Sequence, residues 1–230
     1  MLRYLELSHF DSVTREPLFQ QQIALYQQQL QQRLNQIEHA NGYELPIVWQ
    51  YPVPELGEGG ACSLFGQLAE APYDLTEILG GKTPENQRLL ARMAEVTAFY
   101  QAHSQSDWFG IYQRRLNADG QAVLVKLSYF GAPSRAEFPL TAEFAAISNN
   151  STVGLSGKAR IINDVSAYLQ QGGEYYTCDP KVQAEACIPL FDHQEQIVGI
   201  IDSEAFHKGL FQGDELALLI ATALVVPTLW

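Results

Sequence analysis

The spacing of the apolar residues changes near Gln105 of the 230-residue chain, and this change limits the folds that the chain can adopt. Before Gln105 the apolar residues recur at three- and four-residue steps, which predicts helices. After it they form short runs separated by turn residues, which predicts strands, and a last helix is expected to begin near Asp214 as its N-cap. Because helices and strands fall into separate blocks, the predicted fold is α+β, an antiparallel sheet with helices packed on one face. The predicted strands are 108–113, 122–129, 159–162, 186–191 and 197–201.

Two helices are predicted in the first half of the chain. The first spans residues 17–40, is rich in glutamine and carries one apolar stripe that includes Ile23, Leu30 and Leu34. This stripe could pack on the rest of the chain or on a partner helix in a homodimer, and the residues alone leave both arrangements open. The second helix is expected to begin at residues 83–85, because Thr83 is a good N-cap and the proline after it fits a first helical turn.

Residues 1–82 are predicted to form an N-terminal extension, and residues 83–230 a domain with the predicted sheet. Residues 1–15 are expected to be a short strand or arm. Residues 43–82 are rich in proline and glycine, which predicts irregular chain that serves as a linker or as a functional cover. Their apolar residues, such as Trp49, indicate that this segment packs against another part of the protein.

The composition indicates a globular protein that does not bind nucleic acid. Hydrophobic residues make up 47% of the chain and charged residues 17%, which is enough apolar material for a packed core. A net charge of -12 without basic clusters disfavours binding to phosphate backbones and to anionic membranes. No apolar run could span a bilayer, no secretory leader is recognisable, and three scattered cysteines do not suggest disulfides. These features predict a cytoplasmic location.

The residues suited to chemistry are concentrated in the last third of the chain. Cys178 lies on a polar, loop-like segment, and Glu185 follows seven residues later at the mouth of an apolar strand. Asp202 ends another apolar strand, where an unpaired carboxylate would be unfavourable. The five histidines have no metal-ligand spacing, and no dinucleotide or phosphate-loop motif is present. Neither a metal nor a cofactor is therefore predicted.

Four short motifs occupy the same region. The sequence DWFGIY at 107–112 is similar to a D-W-x-G-x-Y pattern, and YYTCD at 175–179 to H-I-A-C-D. EACIPL at 185–190 resembles S-E-I-V-x-P-L, and GIIDSE at 199–204 resembles G-V-L-D-I-D. Together they resemble GAF domains and, more narrowly, the free methionine-(R)-sulfoxide reductase family, over residues 84–226. The last motif is general to GAF domains, whereas the combination of the first three is more specific.

The resemblance implies a small closed pocket for a free amino acid or its sulfoxide. Trp108 and Tyr112 would contact the sulfoxide end of the ligand. Glu185, Asp202 and Glu204 would hold its amino group. Three acids brought together need a cation, which a ligand ammonium group would supply. The basic residues of the chain that could take its place are Arg135, Lys158 and Arg160.

The resemblance also implies thiol chemistry at Cys178. Its thiolate would attack the sulfoxide sulfur while an acid protonates the departing oxygen, and a thioredoxin-like partner would reduce the product. Two of the family's three cysteines are missing, because the matching positions are Ser156 and about Arg135. Cys187 is predicted to be buried and inert. Cys62 would reach the site only if its segment folds over the pocket.

Three classes of function therefore remain open. The first is a reductase-like enzyme that acts through Cys178. The second is a GAF module that binds a free amino acid or a related small molecule and has lost turnover. The third is an interaction protein that dimerises through the glutamine-rich helix. The missing cysteines favour the second over the first, and the retained pocket residues favour both over the third.

Overall fold

The computed structural model describes residues 1–10, 16–39, 45–57, 63–173, 175 and 179–230. The first elements are α1 (Leu2–Leu7), α2 (Pro17–His39), β1 (Gln50–Tyr51), β2 (Pro54–Leu56), β3 (Ser63–Leu68), β4 (Tyr73–Asp74), α3 (Leu75–Ile78) and α4 (Pro84–His103). They are followed by β5 (Trp108–Leu116), β6 (Ala122–Phe130), β7 (Glu137–Pro139), α5 (Ala142–Ala145), α6 (Asn149–Ser156), β8 (Arg160–Ile162) and α7 (Val165–Gln170). The last are β9 (Ala184–Phe191), β10 (Ile197–Ala205), α8 (Gly213–Val225) and a 3-10 turn, Val226–Leu229.

A six-stranded sheet forms the centre of the fold, in the order β7-β6-β5-β10-β9-β8. Every neighbouring pair is antiparallel, which confirms the predicted α+β class. The five predicted strands are present, whereas the short edge strand β7 was not predicted. Successive side chains of a strand point to opposite faces. Ile201 therefore packs into the main core, while Ile200 and Asp202 lie on the other face.

The long helices cover one face of the sheet, as predicted. Helix α4 contacts β5 and β6, α8 contacts β9, and α2 lies on α8. The stripe residues Ile23, Leu30 and Leu34 of α2 are buried, so the apolar face of this helix packs within the chain and not on a partner helix. An ion pair between Arg33 Nη2 and Glu95 Oε2, 2.8 Å long, joins α2 to α4. None of the helices in the described ranges is long and apolar enough to cross a lipid bilayer.

The starts of two helices can be compared with their predicted caps. Helix α4 begins as predicted, because the Thr83 hydroxyl accepts a hydrogen bond from the backbone N–H of Asn86. The N-cap predicted for the last helix was wrong. Gln212 occupies the N-cap of α8, and Asp214 lies in its first turn, because the helix already begins at Gly213. A carboxylate is still favourable there, at the positive end of the helix.

Two predictions for the N-terminal extension were wrong. Residues 2–7 form a helix and not a strand or arm, because the adjacent residues Tyr4 and Leu5 are both buried, which strand alternation would not give. Residues 45–82 contain α3 and two strand pairs, β1 with β4 and β2 with β3, so this segment is not simply irregular. Residues 11–15, 40–44 and 58–62 lie outside the described residues. The boundary between extension and domain stays a prediction.

Helix α6 lies on the sheet face opposite the long helices, in a region for which no helix was predicted. It contacts β7, β9 and β10, and Val153 packs there with Leu124 and Ile200. The helix begins because the Ser148 hydroxyl accepts the backbone N–H of Ser151 as an N-cap. The N-terminus of α6 is thereby held over the middle strands of the sheet.

Candidate functional site

A cavity of about 320 Å³ lies between α6, the sheet and the β2–β3 hairpin. It opens on the sheet face that the long helices do not cover. Its wall combines short stretches that are far apart in the sequence, from Pro54 to Phe206. Five residues singled out by their motifs line it together, namely Trp108, Tyr112, Glu185, Asp202 and Glu204.

The three acids come from two neighbouring strands. Glu204 of β10 is paired directly with Glu185 of β9, and Asp202 precedes Glu204 by two residues on the same face. Glu185 and Asp202 are each only 4% exposed, and Glu204 is half-buried. Strand pairing alone thus brings three carboxyl groups to one side of the cavity.

Burial and mutual repulsion act on these acids in the same direction. Burial is the largest cause that raises the pKa values of Glu185, Asp202 and Glu204 above their ordinary range. The charge of Glu185 raises the pKa of Asp202 further, and the charges of both raise that of Glu204. Burial and the three acids also raise the pKa of the neighbouring Tyr175 hydroxyl, which stays protonated. The group therefore resists carrying three negative charges unless positive charge is added.

Among the described residues, no basic side chain forms an ion pair with any of the three acids. Three basic residues were predicted as alternatives to a ligand ammonium group. Arg135 lines the cavity, and Lys158 is exposed. The charge of Arg160 lowers the pKa of Glu185. Lys126, which the motifs did not point to, is fully buried and lowers the pKa values of Asp202 and Glu204. No three acids, histidines or cysteines of the described chain are grouped so that they could hold a metal ion.

Two further polar residues of the site, Asn149 and Asn150, were missed in the sequence. Asn149 Nδ2 donates to Glu185 Oε1 at 2.8 Å, and Asn150 Nδ2 donates to Asp202 Oδ2 at 3.0 Å. Both amides are buried, and both bonds favour the ionised carboxylate. The signal that could have revealed them is the capping residue Ser148 immediately before them, which marks a helix start.

An aromatic wall completes the interior of the cavity. Trp108 and Tyr112 lie on one face of β5, with ring centroids 6.5 Å apart, and Phe138 meets the Tyr112 ring edge-on at 5.4 Å. The Trp108 indole N–H donates to the Ala132 carbonyl at 3.0 Å, which fixes the ring. A Cβ added at Gly110 would lie 2.4 Å from the Trp108 ring, so only glycine lets both rings lie over this strand.

The β2–β3 hairpin covers the cavity. Gly66, Gln67 and Leu68 of β3 line it together with Pro54 of β2. The base of this hairpin is anchored by Tyr51, whose hydroxyl donates to the Lys126 carbonyl at 2.7 Å. Part of residues 43–82 thus packs against another part of the protein, as predicted.

Of the three cysteines, one lies among the described residues. Cys178, the predicted redox thiol, and Cys62 lie outside the described residues. Cys187 is a free, fully buried thiol on β9, as predicted, and burial raises its pKa well above the ordinary value. Ser156 is exposed at the opposite end of α6 from Asn150, so a thiol at that position would not line this cavity.

No protein-family model matches the chain, and no curated protein matches it either. Solved structures do match. The type II free methionine-R-sulfoxide reductase from Thermoplasma acidophilum has a TM-score of 0.52 and 20% identity, over 63% of this chain and 94% of that one. The free methionine-R-sulfoxide reductase from Neisseria meningitidis, in complex with its substrate, has a TM-score of 0.50 and 19% identity, over 61% and 77%.

A GAF sensor protein from Burkholderia vietnamiensis reaches a TM-score of 0.47 and 20% identity, over 61% of this chain and 75% of that one. Identities this low establish similarity of fold alone. The similarity rests on the two reductases, whose TM-scores are 0.52 and 0.50. The chain has a GAF-like α+β fold, and its architecture resembles that of the free methionine-R-sulfoxide reductases.

Proposed function

We propose that this protein binds a small molecule through a primary ammonium group, and that the ligand is a free amino acid or its sulfoxide. The observation that carries the proposal is the convergence of Glu185, Asp202 and Glu204 on one cavity. Added positive charge would relieve both the burial and the mutual repulsion of these acids. A primary ammonium has three donors and no acceptor, which matches a set of carboxylate oxygens.

The size and the lining of the cavity support a ligand of this kind. A volume of about 320 Å³ suits a molecule of amino-acid size. The rings of Trp108, Tyr112 and Phe138 offer an apolar surface for the ligand side chain, and aromatic rings make favourable contacts with sulfur. The Neisseria meningitidis reductase was solved with its substrate, which supports small-molecule binding by this fold.

Calorimetric titration tests the proposal. L-methionine and L-methionine-(R)-sulfoxide should bind, whereas N-acetyl-L-methionine should bind at least about ten-fold more weakly, because it keeps the side chain but has no positive charge. Glu204→Gln should weaken binding of the free amino acids, and Glu70→Gln, at an exposed position outside the cavity, should not. Equal affinity for N-acetyl-L-methionine, or no binding of either free amino acid, would contradict the proposal.

Reduction of the bound sulfoxide is a second candidate, favoured by one observation. Asp179, the residue after Cys178 in the sequence, lines the cavity. In the proposed step the Cys178 thiolate attacks the sulfoxide sulfur, and the oxygen takes a proton and leaves as hydroxide as the S–O bond breaks. The hydroxide then attacks the Cys178 sulfur, and the new S–S bond breaks to release methionine. The products are methionine and a sulfenic acid on Cys178. An external dithiol of the thioredoxin type then returns the sulfenic acid to a thiol and releases water, while the dithiol becomes a disulfide.

An activity assay distinguishes this candidate from binding without turnover. The protein is incubated with L-methionine-(R)-sulfoxide and a dithiol, and the methionine formed is measured. The reductase hypothesis expects methionine from the wild type and from Cys187→Ala, whose thiol is buried, and none from Cys178→Ser. A wild type that binds the sulfoxide but forms no methionine would leave binding as the function.

A further inference from the structure

Two consecutive asparagines at the start of α6 each hold a different acid of the cavity. Asn149 and Asn150 are only 6% and 5% exposed. Their amides donate to Glu185 of β9 and Asp202 of β10, at 2.8 and 3.0 Å. Neighbouring positions of a helix point about 100° apart, so the pair can reach two adjacent strands at once. Buried amides are unfavourable unless they are bonded in this way.

These contacts oppose the effect of burial on the two acids. An amide donor stabilises the charged form of a carboxylate, and the positive end of α6 acts in the same sense. Asp202 Oδ2 accepts the Asn150 amide, whereas Asp202 Oδ1 is buried and has no hydrogen-bond partner among the described residues. Other titratable groups near the acids are Glu204, Lys126, Arg160, Tyr175, Asp179 and Cys187, and Arg135 lines the same cavity.

We propose that Asn149 and Asn150 are positioning residues that favour the ionised forms of Glu185 and Asp202 and fix their orientation, which makes the cavity selective for a cationic head group. This inference rests on the proposed function for the nature of the head group. It adds a role for two residues that carry no charge themselves. Without their amides the acids would take up protons more readily, and the cavity would lose its preference for a cation.

Carboxyl titration by carbon-13 NMR tests the inference on the ligand-free protein. Asn150→Ala should raise the titration midpoint of Asp202, and Asn149→Ala that of Glu185, by about one pH unit. Asn150→Leu removes the same donor but keeps the volume, so it replaces the alanine variant if that one does not fold. Thr152→Ala is the matched control, because it removes a side-chain bond of the same helix, to the Ala145 carbonyl, without touching the acids.

If the asparagines had a purely structural role, replacing them would lower the melting temperature but leave the titration midpoints of Glu185 and Asp202 at their wild-type values. Unchanged midpoints in the folded Asn149 and Asn150 variants would therefore overturn the inference. Midpoints that rise only in these variants, and not in Thr152→Ala, would support it. This arm needs no ligand, so its outcome does not depend on the proposed function.

Calorimetry with L-methionine forms the second arm. As the pH is lowered, the affinity of Asn150→Ala should begin to fall at a pH about one unit higher than the affinity of the wild type does. At alkaline pH the affinity of the variant should approach that of the wild type. An equal loss of affinity at every pH would contradict the proposed role. A wild type that does not bind L-methionine would count against the proposed function, while the NMR midpoints still decide the role of the amides.

Discussion

Replacing Glu204 with glutamine should stabilise the ligand-free protein while it weakens ligand binding. Glu204 faces Glu185 directly across the β9–β10 pair. Side chains paired in this way have Cβ atoms about 4.5–5.5 Å apart. Two unit charges about 5.5 Å apart repel by about 3 kcal/mol at an effective dielectric constant of about 20. Because partial protonation relieves some of this repulsion, we expect a gain of about 1–3 kcal/mol, or roughly 2–10 °C in melting temperature.

The gain should depend on pH in a defined direction. Burial and the charges of Asp202 and Glu185 raise the pKa of Glu204 well above its ordinary value. The stability that depends on the protonated Glu204 is present below about pH 4 and is lost as the pH rises through the raised pKa. Glu204→Gln should therefore stabilise most at about pH 8 and have almost no effect near about pH 4.

Scanning calorimetry of the ligand-free protein at these two pH values makes the comparison. Glu70→Gln is the matched control, because Glu70 is exposed, and it should change stability by less than about 0.5 kcal/mol at either pH. If Glu204→Gln did not stabilise the protein at the higher pH, or stabilised it equally at both pH values, the proposed repulsion among the three acids would be refuted.

Three further results are expected. Gly110→Ala should destabilise the protein by about 1–3 kcal/mol and reduce ligand affinity, because its Cβ would displace the Trp108 ring; unchanged affinity in calorimetry would contradict this. Arg33→Ala should lower the free energy of unfolding in urea by about 3 kcal/mol, since it leaves the buried Glu95 carboxylate unpaired. The matched variant Arg88→Ala removes an exposed ion pair and should cost less than about 1 kcal/mol, so similar losses would refute that reasoning. Binding of a cationic ligand at neutral pH should release protons, because the ligand charge lowers the raised pKa of Glu204. Binding enthalpies that do not depend on the ionisation enthalpy of the buffer would argue against this proton release.

The sheet could be predicted because its strands carry their own signal. The apolar runs that became β5, β6, β9 and β10 are bounded by turn residues, and the fold places them where they were expected. Helix α6 was missed because its residues are mostly small and polar and carry no apolar stripe. Its boundaries are set instead by single residues, the N-cap Ser148 and the left-handed C-cap Gly157.

The candidate site was only partly predictable for a related reason. Five of the residues that line the cavity stand in motifs on β5, β9 and β10, and the resemblance of those motifs to a known family grouped them in one predicted pocket. Asn149 and Asn150 reach acids that are 36 and 52 residues away, and nothing local indicates such contacts. The cover formed by β2 and β3 likewise depends on packing between distant segments, which the proline and glycine content of this region conceals.

A crystal structure of the protein grown with L-methionine would test the central claim most directly. The account predicts an ordered ligand in the cavity, with its amino nitrogen within about 3.2 Å of carboxylate oxygens of Glu185, Asp202 or Glu204. It also predicts that the ligand side chain lies against the Trp108 and Tyr112 rings. An ordered ligand whose amino nitrogen lies out of reach of all three acids, or whose carboxylate occupies their end of the cavity, would contradict the account.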